Sequence, residues 1–209
     1  MAARLLVFCI FVSTSIAQYS LWPSINADSL AQSLGVSIAC LTALNETVSC
    51  DPTLFKRTKS VDYYFWTTDN VTTLCTSECQ TSATSWNQLV VESCANQTIF
   101  YNNKAIPADT ISGRQVEGLN LACMMSSNGS SCMLESQDWV GSNMFYNADG
   151  TLADEQPLTA MYDNATLCDE CFLSMFTARV NSSYWSSTTI SPLNSEVSWS
   201  GVVRTRMSP

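Results

Sequence analysis

There is no histidine anywhere in the 209 residues. That excludes nucleophiles activated by an imidazole, whether serine or cysteine, and metal sites built on histidine. Positive charge is also scarce. Nine Lys and Arg stand against eighteen Asp and Glu, a formal net charge of −9. A chain of that sign repels phosphate backbones, so nucleic acid is not an expected partner. Charge of either sign accounts for only 13% of the residues, so Ser, Thr and Asn do much of the solvating. No GxSxG, phosphate-binding loop or dinucleotide fingerprint occurs, and neither does an internal repeat or a charge block. Beyond the first dozen residues no apolar run is long enough to span a bilayer, and "WSGVVRTRMSP" lacks the hydrophobic tail of a lipid-anchor signal.

What is present begins with "MAARLLVFCIFVSTSIAQYS". One Arg precedes an apolar run from Leu5 to Val12, and small residues end at Ala17. This is the pattern of a secretory signal peptide over residues 1–17, with Gln18 first in the mature chain and no membrane attachment after cleavage. Removing that segment takes away Arg4 and no acid. N-x-S/T triplets follow at Asn45, Asn70, Asn96, Asn128, Asn164 and Asn181, six candidate N-glycosylation sites spread behind the signal. The expected location is extracellular or at the cell wall.

Ten cysteines are present. Cys9 falls within the signal peptide. Cys40, Cys50, Cys75, Cys79, Cys94, Cys123, Cys132, Cys168 and Cys171 remain. On a secretory route, thiols this dense are read as disulfides before metal ligands or redox centres. Zinc held by Cys75/Cys79 with Cys168/Cys171 lacks a histidine to share the load. A thioredoxin-like centre needs a strand before its CxxC, where this chain has polar "YDNATL". Helical spacing puts Cys75 and Cys79 on one face, and Cys168 and Cys171 on another. One expectation is therefore two helices laced twice. Nine is odd, so one thiol is left unpaired, and a disulfide-linked dimer is a possible consequence.

Apolar periodicity favours helices in "LCTSECQTSATSWNQLVVESC", in "GLNLACMMSSNGSSCMLESQDWV" with a turn at Asn128-Gly129, and in "NATLCDECFLSMFTARV" opened by Asn164. "IFYNNKAIP" reads as a hairpin around Asn102-Asn103, and Asp149-Gly150 as a turn. The expected fold is mainly α: a small disulfide-stabilised helical domain with short strand or hairpin segments and a disordered Ser/Thr-rich tail. The expected divisions are the signal peptide 1–17, a poorly structured segment 18–37, the cysteine-rich helical domain 38–180, and a linker or tail 181–209. Glu135 and Asp138, three apart beside Trp139, are the one carboxylate pair that suits a glycosidase. The alternative is a solvated helix face with Trp139 in the core. No catalytic, cofactor or metal residue is assigned. Six Trp and seven Tyr offer stacking surfaces for glycan or material for a core. Trp86 is placed in the core, and "VDYYFWTTDN" is the one aromatic cluster flanked by polar residues.

The ordered set "CLTALNETVSCD", "TTLCTSECQTSATSWNQLVVESC", "SSCMLESQDWVGSN" and "LCDECFLSMF" resembles the cysteine-rich region before the first LysM module of fungal secreted LysM-domain proteins. The likeness covers roughly residues 38–176. It implies a non-enzymatic secreted protein acting at or near the cell wall, with chitin or a related glycan as ligand class. The alternative is a structural spacer without glycan affinity. LysM modules themselves open with a Tyr-x-Val-x-x-Gly-Asp-Thr-Cys-like run, which this chain lacks. In the family a further cysteine follows the Cys-x-x-Cys helix, where "NSSYWSSTTISP" has none. The resemblance therefore places the missing partner of the odd thiol beyond residue 180, and the free thiol on the Cys168/Cys171 helix.

Overall fold

The computed structural model describes residues 17–101, 104–139 and 162–184. The expected signal peptide apart from Ala17, the turns expected at Asn102-Asn103 and Asp149-Gly150, and the chain from Trp185 lie outside the described residues.

The segment 18–37, expected to be poorly structured, is ordered at Tyr19 by long-range contacts and at α1 by its caps. Tyr19 exchanges both backbone hydrogen bonds with Val48, each 2.8 Å. Its ring meets Phe55 edge-on at 5.0 Å, and Gln115 Nε2 donates to its hydroxyl at 3.1 Å. Helix α1 (Ala27–Leu34) then starts where the Asn26 side chain accepts the Ser29 N–H, and stops at Gly35, whose φ of 73° is left-handed. An Asx cap at one end and a glycine at the other bound the helix.

Helix α2 is Ile38–Leu44. Helix α3, Pro52–Thr58, has Asp51 as cap and proline in its first turn. A short 3-10 turn, Val61–Tyr63, leads to α4, Thr68–Leu74, where Thr67 and Asn70 form a capping box. The long helix α5 is Ser77–Ser93, opened by Thr76. Asn96, at φ 62°, turns the chain into an antiparallel hairpin of β1 (Thr98–Tyr101) and β2 (Lys104–Pro107). Helices α6 (Thr110–Ala122) and α7 (Cys132–Ser136) follow, and then α8 (Asn164–Leu167) and α9 (Glu170–Val180).

Helices α2, α3, α5 and α6 enclose the core. Trp86 of α5 is buried among them with Phe55, Leu44, Val90 and Leu119. Its indole N–H is shared between the carbonyls of Ala43 and Leu44, at 3.0 and 3.3 Å. Those carbonyls belong to the last turn of α2, where Ala43 also takes the Glu46 N–H at 3.2 Å, so one buried ring fills the core and helps to satisfy a helix end.

Four disulfides close: Cys40–Cys94, Cys50–Cys79, Cys75–Cys123 and Cys132–Cys171. Cys168 is free and exposed. The twice-laced helix pair is corrected by this pairing. Cys75 and Cys79 do not share a helix. Cys75 is the C-cap of α4, and Thr76 starts α5 by accepting the Cys79 N–H. The same event divides the helix expected to open at Asn164. Asp163 caps α8, Cys168 ends it, and the Asp169 carboxylate accepts the Phe172 N–H to begin α9. In both places a Thr or Asp side chain competes with the helix for a backbone donor and wins.

Candidate functional site

Residues Val61–Trp66 present aromatic rings alternately inward and outward. Trp66 is 1% exposed, and its indole donates to the Val61 carbonyl at 2.9 Å. Its backbone is clasped by the Gln137 carboxamide, which accepts the Trp66 N–H at 2.7 Å and donates to the Trp66 carbonyl at 2.9 Å. Tyr64 stands edge-on to Trp66 at 4.9 Å, with the Arg57 guanidinium over its ring at 5.4 Å. Asp62 pairs with Arg179 of α9. On this braced backbone Tyr63 and Phe65 are 71% and 76% exposed. Two large rings held outward by a hydrogen-bonded support form a surface fit for stacking. Gln137, which fixes the support, lies in the "SSCMLESQDWVGSN" stretch that carries the family resemblance, but its role as a clasp could not be read there, because its partner lies 71 residues away.

A groove of about 210 Å³ opens beside Trp22, walled by Ile25, Leu30, Leu41, Asn45 and Glu46. A second hollow, about 220 Å³, lies between α6 and α9 and includes Glu117, Arg179 and Asn181.

The Glu135 carboxyl finds Asp169 as its neighbour. One oxygen of each lies within 4.8 Å of the other and of Cys171 Sγ. That sulfur is bonded to Cys132 and is not the thiolate a metal requires. Burial pushes Glu135 up from the ordinary carboxylate range. The Asp169 charge and a hydrogen bond from protonated Glu135 to Asp169 add to the rise, and Trp139 opposes it. Glu170, the next acid, is engaged by Ser127, whose N–H and hydroxyl donate to it at 2.8 and 2.6 Å. A carboxyl raised in the fold stabilises below its ordinary pKa, and that contribution is lost as pH rises through the folded value. Glu135→Gln should therefore match the parent near pH 4 and melt higher near pH 7, with the gap opening through the acid range. Melting curves at both values check it; a gap of equal size at both would show that the carboxyl pair is not responsible.

Among the six sequon residues, Asn96, Asn128, Asn164 and Asn181 are exposed, and Asn45 and Asn70 are half-buried. Asn70 Oδ1 accepts the Thr67 N–H at 3.2 Å and the Tyr64 hydroxyl at 3.4 Å. Trp139 packs on Phe172 at 5.3 Å, and Trp86 is in the core. Trp185 and Trp199 lie outside the described residues.

Mainly helical architecture, four disulfides and side-chain caps at almost every helix start define a disulfide-stapled domain of the secreted type. The chain belongs to the family described as the secreted LysM effector N-terminal domain, whose model matches residues 19–151. It is 33% identical over 192 residues to a LysM domain-containing protein of Arthroderma benhamiae, an alignment covering 81% of this chain and 33% of that one. A second LysM domain-containing protein of the same fungus is 32% identical over 192 residues, covering 81% and 37%. The chain thus spans about a third of the length of the curated relatives it matches. No solved structure matches. Among the described residues no single helix is long and apolar enough to cross a membrane.

Proposed function

We propose that this chain acts outside the cell, at or near the cell wall, as a non-catalytic LysM-type effector segment that holds an N-acetylglucosamine polymer such as chitin against Tyr63 and Phe65. The observation that carries the reading is the pair of rings kept outward by the Gln137–Trp66 clasp. The C–H face of a pyranose is apolar and stacks on an aromatic ring, and a ring already fixed in place loses little entropy on binding. Chitin carries no charge, so the acidic chain meets no repulsion and salt has little to screen.

Retention on insoluble chitin beside cellulose tests this. The parent protein should stay on chitin at low and high salt, and Tyr63→Ala/Phe65→Ala should bind at least about tenfold more weakly, ~1.4 kcal/mol. Undiminished retention of the double variant would move the contact elsewhere, the Trp22 groove first. No retention of the parent would favour a spacer role without glycan affinity. A hydrolytic role for Glu135 with Asp138 is disfavoured because the carboxyl that the fold sets beside Glu135 is Asp169, itself the cap of α9. Turnover of a chromogenic chito-oligosaccharide would revive it.

In the same reading the exposed Asn96, Asn128, Asn164 and Asn181 carry N-glycans. The exposed Cys168 thiol is the point at which a second copy is joined, visible as a double-mass band on a non-reducing gel that collapses on reduction.

A further inference from the structure

The Asn45 carboxamide presents one edge to a single residue. Oδ1 accepts the Trp22 N–H at 2.7 Å, and Nδ2 donates to the Trp22 carbonyl at 3.2 Å. Bonding both ways to one residue uses the side of the amide on which the oxygen and one N–H point together. The hydrogen given to Trp22 is therefore the one cis to Oδ1. An N-glycosidic amide is planar and, like a peptide, prefers the trans form, which puts the substituent on nitrogen cis to the oxygen. The sugar carbon would occupy the position of that hydrogen. Glycan and clamp are thus mutually exclusive at Asn45, whatever the room around it.

We infer that the sequon Asn45-Glu46-Thr47 is carried bare in the folded protein, its carboxamide acting as the clamp on Trp22 instead of as a glycan acceptor. This goes beyond the glycan-binding reading and does not depend on it. In the transfer that is avoided, Nδ2 would form a bond to the anomeric carbon of a lipid-linked oligosaccharide pyrophosphate. It would lose that proton, and the pyrophosphate would leave with the bonding electrons. Three further features agree. Asn45 also ends α2, its backbone N–H bonded to the Leu41 carbonyl at 2.9 Å. Its side chain is half-buried in the wall of the Trp22 groove, where a rooted oligosaccharide would have to lie. The clamp also continues the Tyr19–Val48 pairing, so losing it frees the stretch that leads into the core through Tyr19. Asn96, by contrast, is exposed at the turn before the hairpin.

The test is secretion of the full chain from a yeast, enzymatic deglycosylation of the folded fraction in heavy-oxygen water, and peptide mapping. The Asn45 peptide should keep its unmodified mass while the Asn96 peptide takes the label. Thr47→Ala, which destroys the sequon and spares the carboxamide, should change neither total glycan mass nor Tm. Asn45→Ala should lower Tm by about 4 °C, the shift of two ordinary hydrogen bonds. Trp22→Pro removes the N–H that Oδ1 accepts at 2.7 Å, leaving the carboxamide held by the longer Nδ2 bond alone, and this loosened clamp should let Asn45 gain label. Label on Asn45 in the folded parent protein, one glycan lost with Thr47→Ala, or an Asn45 still bare in secreted Trp22→Pro would each overturn the inference.

Discussion

A thiol reductant should abolish the helical signal of this protein at a temperature where the oxidised form is intact, and a chelator should leave it unchanged. The four disulfides close segments separated by 54, 29, 48 and 39 residues. Removing one from a small secreted domain typically costs about 2–5 kcal/mol. A domain has only about 5–15 kcal/mol of net stability in all. The four together are therefore comparable with the whole margin, even where nested loops keep their effects from adding. Cys40, Cys50, Cys79, Cys94, Cys132 and Cys171 are buried, so reduction also places thiols where the core was closed. On the metal side the chain has no imidazole. The one cluster of possible ligands among the described residues includes a sulfur already committed to Cys132. Far-ultraviolet circular dichroism, followed against temperature with reductant and with EDTA, separates the two. Melting by EDTA alone would sink the disulfide account. Among single bonds, Cys40–Cys94 should matter most, since it spans the longest segment and ties α2 to the end of α5.

The helical class was legible because the apolar spacing of Leu74 to Cys94 and of Leu167 to Phe176 is helical. The hairpin was legible because "IFYNNKAIP" has a turn pair between two short β-prone runs. The breaks were not. Thr76 and Asp169 look like ordinary polar positions on continuing helices, yet each takes a backbone N–H three residues on and starts a new helix. That local choice changed the long-range result, since the double lacing rested on Cys75 and Cys79 facing one way. The N-terminal segment was unreadable for another reason. Tyr19 is a single aromatic in polar surroundings, and its partners Val48, Phe55 and Gln115 are assembled only by the fold. At the candidate site, "VDYYFW" stood out as aromatic. Which rings face water depends on the Gln137 clasp, a contact across 71 residues that no spacing rule reveals. Asn45 is the same lesson in a motif: the triplet signals an acceptor, and the fold gives its amide other work.

Gly118→Ala should damage the helical core severely, although alanine is the better helix former by about 1 kcal/mol. Gly118 lies in α6 where that helix crosses α3. A β-carbon there would sit 1.9 Å from the carbonyl oxygen of Thr58 and 2.7 Å from its carbonyl carbon. Those are backbone atoms of the last turn of α3. Thr58 is itself buried, its hydroxyl bonded to the Phe55 carbonyl at 2.8 Å. No rotamer change relieves the overlap, so α3 must move away from α6 and take Phe55 with it. Overpacking a rigid site costs about 1–3 kcal/mol and occasionally more. A backbone obstacle belongs at the upper end, several times the helix-propensity gain. The expected fall in Tm is about 6–12 °C, from ~3 kcal/mol at 2–4 °C each. Gly113, five residues earlier in α6, supplies the control. A β-carbon there would meet the Tyr184 ring at 2.4 Å, and a tyrosine side chain half-exposed at the edge of the domain can swing aside. Gly113→Ala should therefore shift Tm by no more than about 2 °C, with alanine's helix preference offsetting the lost ring contact. Thermal melts of the two variants beside the parent decide it. If Gly118→Ala melted with the parent, α3 and α6 would not approach as closely as the fold requires.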